Sequence, residues 1–103
     1  MQNQIKQFAR MIKECSNIVF FGGAGVSTES GLKDYRSADG IYNTEKEYGV
    51  SPEKILIHTF FTQNPTTFYD FYKKYFAMGA EPNYAHKALA ELEKMEKLRF
   101  VIT

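Results

Sequence analysis

The chain has 103 residues, of which 44% are hydrophobic and 24% are charged, as in an ordinary globular protein of one domain. Its net charge of +1 gives no reason to expect nucleic acid or a membrane as partner, and no apolar stretch approaches the roughly 20 residues of a bilayer span. A single cysteine excludes an intrachain disulfide, and an N-terminus without a secretion signal predicts a cytoplasmic location.

The first predicted elements are a helix and a short strand. Apolar residues recur at helical spacing over residues 3–15, which predicts an amphipathic helix with one buried face. That face is formed by Ile5, Phe8, Ala9 and Ile12. A short apolar run then predicts a buried strand at residues 18–21.

A loop with two glycines, Gly23 and Gly25, follows this strand. Glycine lets the backbone approach a ligand closely, and the free N–H groups at a helix N-terminus bind anions. A short helix is expected to begin near Ser27, whose hydroxyl would cap it. The loop therefore predicts a phosphate-binding site, and an acid, an aromatic residue and a base follow it at residues 34–36.

The next part of the chain is expected to be a loop and then a helical module at about residues 44–80. Residues 31–48 have loop-like composition, with a turn at Asp39-Gly40. Ser51-Pro52-Glu53 begins one helix, and Asn64-Pro65 ends it and opens another. An aromatic stripe on the second helix favours a core over a stacking platform for nucleic acid. It consists of Phe68, Phe71, Tyr72, Tyr75 and Phe76.

A third long helix and a second strand complete the predicted elements. The helix is expected at residues 83–95 and the strand at residues 98–102, both with buried apolar residues. The residues predicted to be buried on the helix are Ala85, Ala88, Leu89, Leu92 and Met95. The two strands predict an α/β fold, a partial Rossmann-like parallel sheet (βαβ) whose long crossover contains the helical module.

The position of the second strand raises the expectation that the chain is truncated. Two parallel strands cannot bury themselves, since three or more are usually needed. Ligands of such sheets bind beyond the carboxyl ends of the strands, and Thr103 comes directly after the second strand. We therefore expect an N-terminal portion of a larger domain, with an exposed strand edge through which it could self-associate.

Residues 23–37, which read GAGVSTESGLKDYRS, resemble the signature GAG(I/V)SxxSGIPDFRS of the sirtuins, the NAD-dependent protein deacylases. The stretches 38–42 and 82–89, the latter leading into residues 100–103, are similar to the same family. Within the signature, Lys33 stands in place of a proline and Tyr35 in place of a phenylalanine. The resemblance spans most of the chain.

The resemblance implies NAD as the cofactor and assigns the residues that would bind it. The glycine loop would hold the pyrophosphate, and the acid–aromatic–arginine segment would close over the nicotinamide and its ribose. The implied pyrophosphate residues are Gly23, Ala24, Gly25, Ser27 and Thr28, and those of the second group are Asp34, Tyr35 and Arg36.

The resemblance also implies that residues 1–103 lack several parts of the family's active site. The family's histidine base, its zinc cysteines and its acyl-lysine groove follow the strand that ends here, so no catalytic residue and no metal ligand is assigned. The implied parent enzyme is a transferase that moves an acyl group from a lysine of a protein substrate to ADP-ribose and releases nicotinamide. The present chain is expected to be inactive alone.

Two alternatives remain open from the sequence. One is a non-catalytic module that binds NAD or ADP-ribose, and the other is a parent protein with mono-ADP-ribosyltransferase activity. Neither histidine is expected to act as a general base, because His58 and His86 both lie on predicted helices away from the glycine loop in sequence. We expect His86 to act in packing or capping at the start of its helix.

Overall fold

A computed structural model describes residues 1–103, apart from the side chain of Thr44. The chain divides into two compact units. The first consists of residues 1–23 and 82–103, and the second of residues 24–81. No helix in the described part of the chain is long and apolar enough to cross a membrane.

The first unit contains two helices and a two-stranded parallel sheet. Its elements are helix α1 (Gln2–Glu14), strand β1 (Ile18–Phe21), helix α6 (Tyr84–Lys94) and strand β2 (Leu98–Ile102). The strands pair from Ile18 with Leu98 to Phe21 with Ile102, with one irregularity between Ile18 and Val19. The predicted partial parallel α/β sheet is confirmed, because apolar runs of four and five residues form strands and helical periodicity forms the helices.

The predicted burial in the first unit is wrong. Neither α1 nor α6 contains a buried residue, and Phe8 is 63% exposed. Strand β2 is exposed over four of its five residues. The physical reason is that a two-stranded sheet offers too little surface to cover the apolar faces of its helices and of its own strands. Periodicity identifies an apolar face but not what covers it.

Helix α6 begins and ends with specific local contacts. Asn83 accepts hydrogen bonds from the N–H groups of Ala85 and His86, and His86 Nδ1 accepts one from the Asn83 N–H at 3.2 Å. This reciprocal pair is a capping box, which confirms the capping role expected for His86. At the other end Glu96 has φ 58°, where a glycine would be favoured, and the Lys97 N–H bonds to the Leu92 carbonyl.

Lys97 connects the end of α6 to the end of α1. Its Nζ donates to the carbonyls of Ile12, Lys13 and Cys15 at 3.2, 2.9 and 2.7 Å. The last carbonyls of a helix have no intrahelical partner, and a cation is favourable there. One ammonium group thus satisfies the C-terminus of α1 across more than eighty residues of sequence.

Replacing Lys97 with methionine is expected to destabilise the first unit. Methionine keeps the apolar stem but leaves three carbonyls without their donor, for a loss of about 1–2 kcal/mol. Urea unfolding followed by circular dichroism measures the change. Lys94→Met is the matched control, since Lys94 forms only an exposed pair with Glu91 and should shift the free energy of unfolding by less than about 0.5 kcal/mol. Equal effects of the two substitutions would contradict the capping role.

The regular elements described in the second unit are all helices, and residues 31–40 between the two 3₁₀ helices form turns and loop. Its elements are a 3₁₀ helix at Ala24–Ser30, a second at Ile41–Thr44, and four α-helices: α2 (Glu45–Tyr48), α3 (Pro52–Ile55), α4 (His58–Gln63) and α5 (Pro65–Tyr75). The core consists of Ile41, Ile55, Phe71 and Tyr75. The core interpretation of the aromatic stripe is therefore confirmed at Phe71 and Tyr75, while Phe68 and Phe76 pack partly buried against that core.

Three local predictions in this unit are wrong. The helix expected from Ser27 is a 3₁₀ helix that begins at Ala24, and the loop expected over residues 31–48 contains two short helices. The single helix expected after Ser51 is two, α3 and α4, separated at residues 56–57. Burial of Ile41 and Ile55 in one core explains the last two differences, because tertiary packing overrides weak local preference. The module boundary at about residues 44–80 stays a prediction.

Candidate functional site

The glycine loop of the second unit is a tightly wound 3₁₀ helix, Ala24–Ser30. Within it, Thr28 Oγ1 donates to the Gly25 carbonyl at 2.9 Å, so this hydroxyl is used in holding the turn. The Gly31 N–H then bonds to the Thr28 carbonyl, and Gly31 has φ +87°. That left-handed conformation favours glycine, and it ends the 3₁₀ helix and directs the chain toward residue 32.

Gly23 and Gly25 face open space. A Cβ atom built on either would meet no heavy atom within 4 Å, and neither residue has a positive φ. The fold itself therefore requires glycine at neither position. Space beside the backbone is what a ligand needs for close approach to N–H groups, and neither glycine is closed off by a neighbouring described atom.

A cavity of about 170 Å³ lies beside this loop within the second unit. Its walls come from the loop, from residues 32–35 and from the end of α5. The lining residues are Ala24, Ser27, Leu32, Lys33, Tyr35, Tyr75 and Phe76. Pockets that hold a drug-sized ligand usually measure roughly 300–1,000 Å³, so this open cavity has room for one ring and its substituents and not for a whole dinucleotide.

The segment after the cavity is held by hydrogen bonds to Asp34. Asp34 Oδ1 accepts from both the N–H and the hydroxyl of Ser37, and the Asp34 carbonyl accepts from the Ile41 N–H at 2.8 Å. Asn43 Nδ2 donates to the carbonyls of Ser37 and Ala38 at 2.7 and 3.2 Å. The Asp34 carboxylate is thus a structural acceptor that ties its own loop together.

Gly40 packs directly against residues 34 and 35. A Cβ atom at Gly40 would lie 2.9 Å from Asp34 Oδ1 and from the carbonyl carbon and oxygen of Tyr35. Its φ of −68° is open to any residue, so only the lack of space requires glycine here. The Ile41 N–H donates to the Asp34 carbonyl, and the Tyr42 N–H donates to the Tyr35 carbonyl. These two hydrogen bonds hold residues 41–42 close to residues 34–35.

Tyr35 and Arg36 differ in their surroundings. The Tyr35 ring is half-buried between Tyr42 and Phe76, with centroids 5.4 and 6.5 Å away. Arg36 is exposed, and its guanidinium lies 5.9 Å from the centre of the Tyr42 ring. Tyr35 thus forms a fixed wall of the cavity, while Arg36 presents a cation that is steadied by a cation–π contact.

Tyr75 adds a neutral hydroxyl-bearing ring to the cavity wall. Its hydroxyl donates to Glu47 Oε2 at 2.7 Å, and Lys74 forms an ion pair with the same carboxylate. Burial and the bond to Glu47 raise the pKa of Tyr75, while hydrogen bonds from Lys74 and Tyr75 lower the pKa of Glu47. Tyr75 therefore stays protonated at neutral pH and does not act as a base there.

The cavity brings together three of the eight predicted site residues: Ala24, Ser27 and Tyr35. Gly25 and Thr28 lie on the same 3₁₀ helix, and Asp34 and Arg36 flank Tyr35 without lining the cavity. Gly23 belongs to the other unit, as the last residue of its segment 1–23. Neither His58 nor His86 lines the cavity, and the described side chains contain no group of three histidine, cysteine or acidic residues placed to hold a metal.

Four cavity residues were not predicted from the sequence: Leu32, Lys33, Tyr75 and Phe76. Leu32 and Lys33 lie between the two predicted groups, so continuity of the segment was an available signal. Tyr75 and Phe76 belong to a stripe at helical spacing, and that spacing is the same for a core residue and for a pocket wall. Only the folded chain shows that the end of α5 meets the loop at residues 32–35.

Comparison with known sequences gives consistent matches. A sequence model described as the Sir2 family matches residues 23–103. An NAD-dependent protein deacetylase of Clostridium tetani is 52% identical over 99 residues, which are 95% of this chain and 40% of that protein. One from Clostridium perfringens is 47% identical over 104 residues, which are 100% of this chain and 43% of that protein. The chain thus spans about 40% of the length of these relatives.

Solved structures of Sir2 proteins are also similar to this chain. A structure from work on the mechanism and regulation of Sir2 enzymes has a TM-score of 0.82 and 35% identity, and the match covers 98% of this chain and 38% of that one. A mutant Sir2 homologue in complex with ADP-ribose has a TM-score of 0.70 and 29% identity, over 89% of this chain and 37% of that one. Because the family model covers well over half of its residues, the chain belongs to the Sir2, or sirtuin, family.

Proposed function

We propose that residues 1–103 supply part of the nucleotide-binding site of an NAD-dependent protein-lysine deacylase. The backbone of residues 23–28 binds the pyrophosphate of NAD, and the cavity beside Tyr35 takes the ring at one end of the cofactor. Asp34 and Arg36 complete this group, Asp34 by holding the loop and Arg36 by offering an exposed cation. The similar clostridial proteins are NAD-dependent protein deacetylases, which supports NAD as the cofactor.

The observation that carries this proposal is the open space at Gly25 on the 3₁₀ helix that supplies Ala24 and Ser27 to the cavity wall. Glycine there is required neither by φ nor by a neighbouring atom, so the fold alone does not explain it. Backbone N–H groups in a 3₁₀ turn next to that space can bind an anion with little reorganisation. A phosphate group bound against the backbone gives the missing reason.

Isothermal titration of the chain with ADP-ribose, before and after replacing Gly25 with valine, tests the binding site. The valine side chain occupies free space, so the melting temperature should stay within about 2 °C while affinity falls at least about tenfold. Gly79→Val is the matched control, because its Cβ also meets nothing within 4 Å and Gly79 does not line the cavity. Absence of binding by the unsubstituted chain, or equal affinity after Gly25→Val, would contradict the proposal.

The acyl-transfer step requires groups that the cavity does not contain. A histidine is the usual base for such a step at neutral pH, and neither His58 nor His86 lines the cavity. We therefore propose that the 103-residue chain binds the cofactor without turnover. Release of nicotinamide from NAD and an acetyl-lysine peptide by this chain would contradict that.

The same assay, run on a longer chain that contains residues 1–103, separates the remaining alternatives. Loss of acetyl groups from the peptide together with nicotinamide release supports the deacylase, a transferase acting on an acyl-lysine protein. Binding without either product favours a non-catalytic NAD- or ADP-ribose-binding module. Transfer of labelled ADP-ribose to protein favours mono-ADP-ribosylation. A cytoplasmic location and self-association through a strand edge stay predictions, which cell fractionation and sedimentation velocity respectively would check.

A further inference from the structure

Lys33 occupies an unusual place at the cavity wall. It lines the cavity next to Leu32 and Tyr35, and its Nζ donates to the Asp39 carbonyl at 2.8 Å. The sirtuin signature that residues 23–37 resemble has a proline at this position. The substitution replaces a residue of fixed φ with a flexible one directly before the Asp34–Arg36 segment.

The hydrogen bond from Lys33 to the Asp39 carbonyl joins the two ends of residues 33–39, which include the Asp34–Arg36 segment. Within these residues, Asp34 accepts two hydrogen bonds from Ser37, and the Ser37 hydroxyl also lies 3.0 Å from Asp39 Oδ1. The Gly40 N–H bonds to the Ser37 carbonyl at 2.9 Å and sets the turn that brings residue 39 back toward residue 33. The segment is thus tied at its start by Lys33 and in its middle by Asp34.

We infer that Lys33 is a positioning residue, which holds the Asp34–Arg36 segment in place through its hydrogen bond to Asp39 where a proline would act through a fixed φ. The ammonium group works within the chain, while the aliphatic stem contributes to the cavity wall. Its backbone N–H makes no hydrogen bond to another described residue, so a proline there would break none.

A second role for the same cation is direct attraction of the cofactor's phosphates. That role requires a positive charge and would weaken steeply with salt, because exposed charges are screened over about 8–10 Å at physiological ionic strength. The positioning role requires only that the loop stays closed. The two roles therefore predict different affinities for a substitution that removes the charge but fixes the backbone φ. Such a substitution weakens binding if Lys33 attracts the phosphates, and leaves binding unchanged if Lys33 positions the loop.

Three substitutions of Lys33 separate these roles. Lys33→Met keeps the stem and removes the donor, Lys33→Arg keeps the charge and a donor, and Lys33→Pro removes the charge but fixes φ. Amide hydrogen exchange at Ile41 and Tyr42 reports loop closure, since their N–H groups donate to Asp34 and Tyr35. We expect exchange about fivefold faster in Lys33→Met and close to the unsubstituted rate in the other two.

Binding of ADP-ribose should follow the same order, and this second readout rests on the proposed function. Apparent affinity falls in proportion to the closed fraction of the loop, so Lys33→Met should bind more weakly by the factor by which that fraction drops, at most about fivefold, while Lys33→Pro binds as the unsubstituted chain does. Weak binding by Lys33→Pro with normal exchange would overturn positioning in favour of charge. Unchanged exchange in Lys33→Met would also overturn it, whereas failure of the unsubstituted chain to bind would refute the proposed function and leave the exchange test intact.

Discussion

Replacing Phe71 with alanine is expected to lower the free energy of unfolding of residues 24–81 by about 3–5 kcal/mol. Phe71 is fully buried, and its ring packs edge-on to Tyr48 at 5.4 Å and against Tyr75 at 5.0 Å. The truncation removes the apolar area of the ring and leaves a cavity where these aromatic rings meet. Urea unfolding monitored by tyrosine fluorescence measures the change.

Tyr69→Ala is the matched control on the same helix. Tyr69 is 49% exposed and its ring meets those of Phe61 and Phe68 edge-on, so its loss should be no more than about 1 kcal/mol. If Phe71→Ala does not fold, Phe71→Leu gives a graded reading with an expected loss of about 1–2 kcal/mol. A smaller loss for Phe71→Leu than for Tyr69→Ala would contradict the burial of Phe71 at the centre of this core.

Replacing Gly40 with alanine is expected to open the loop that carries Asp34 and Tyr35. The added Cβ would lie 2.9 Å from the Tyr35 carbonyl, and backbone cannot move aside as a side chain can. The resulting cost of overpacking is about 1–3 kcal/mol. It acts against a gain of about 0.4–1 kcal/mol that alanine brings by restricting the unfolded chain, since φ of −68° suits alanine. Thermal unfolding and ADP-ribose titration measure the net effect, with affinity expected to fall at least about tenfold.

Gly79→Ala supplies the control for the unfolded-state gain. Its Cβ meets nothing within 4 Å and its φ is not in the left-handed region, so the substitution should be neutral or slightly stabilising. Faster amide exchange at Ile41 and Tyr42 in Gly40→Ala alone would locate the damage at the bonds to Asp34 and Tyr35. A Gly40→Ala protein with unchanged stability and exchange would contradict the close packing at residue 40.

The loop after the glycines shows where sequence reasoning was insufficient. Residues 31–48 have the composition of a loop, yet Ile41 is buried and the chain forms short helices around it. No local period signals this, because the few apolar residues of this stretch do not recur at a sustained helical or strand spacing. Its burial depends on Ile55 and Phe71, which the chain supplies fourteen and thirty residues later.

The sequence by itself determined the parallel strands, the long helices and the fifteen-residue signature of the family, because each is written in adjacent residues or at a regular period. Tertiary structure alone decided how Tyr75 and Phe76 meet Tyr35 at the cavity, why Gly40 has no room for a side chain, and how Lys33 closes its loop. These features depend on distances between residues that are far apart in the chain or joined by irregular backbone. Such distances are set by packing, and local preference does not contain them.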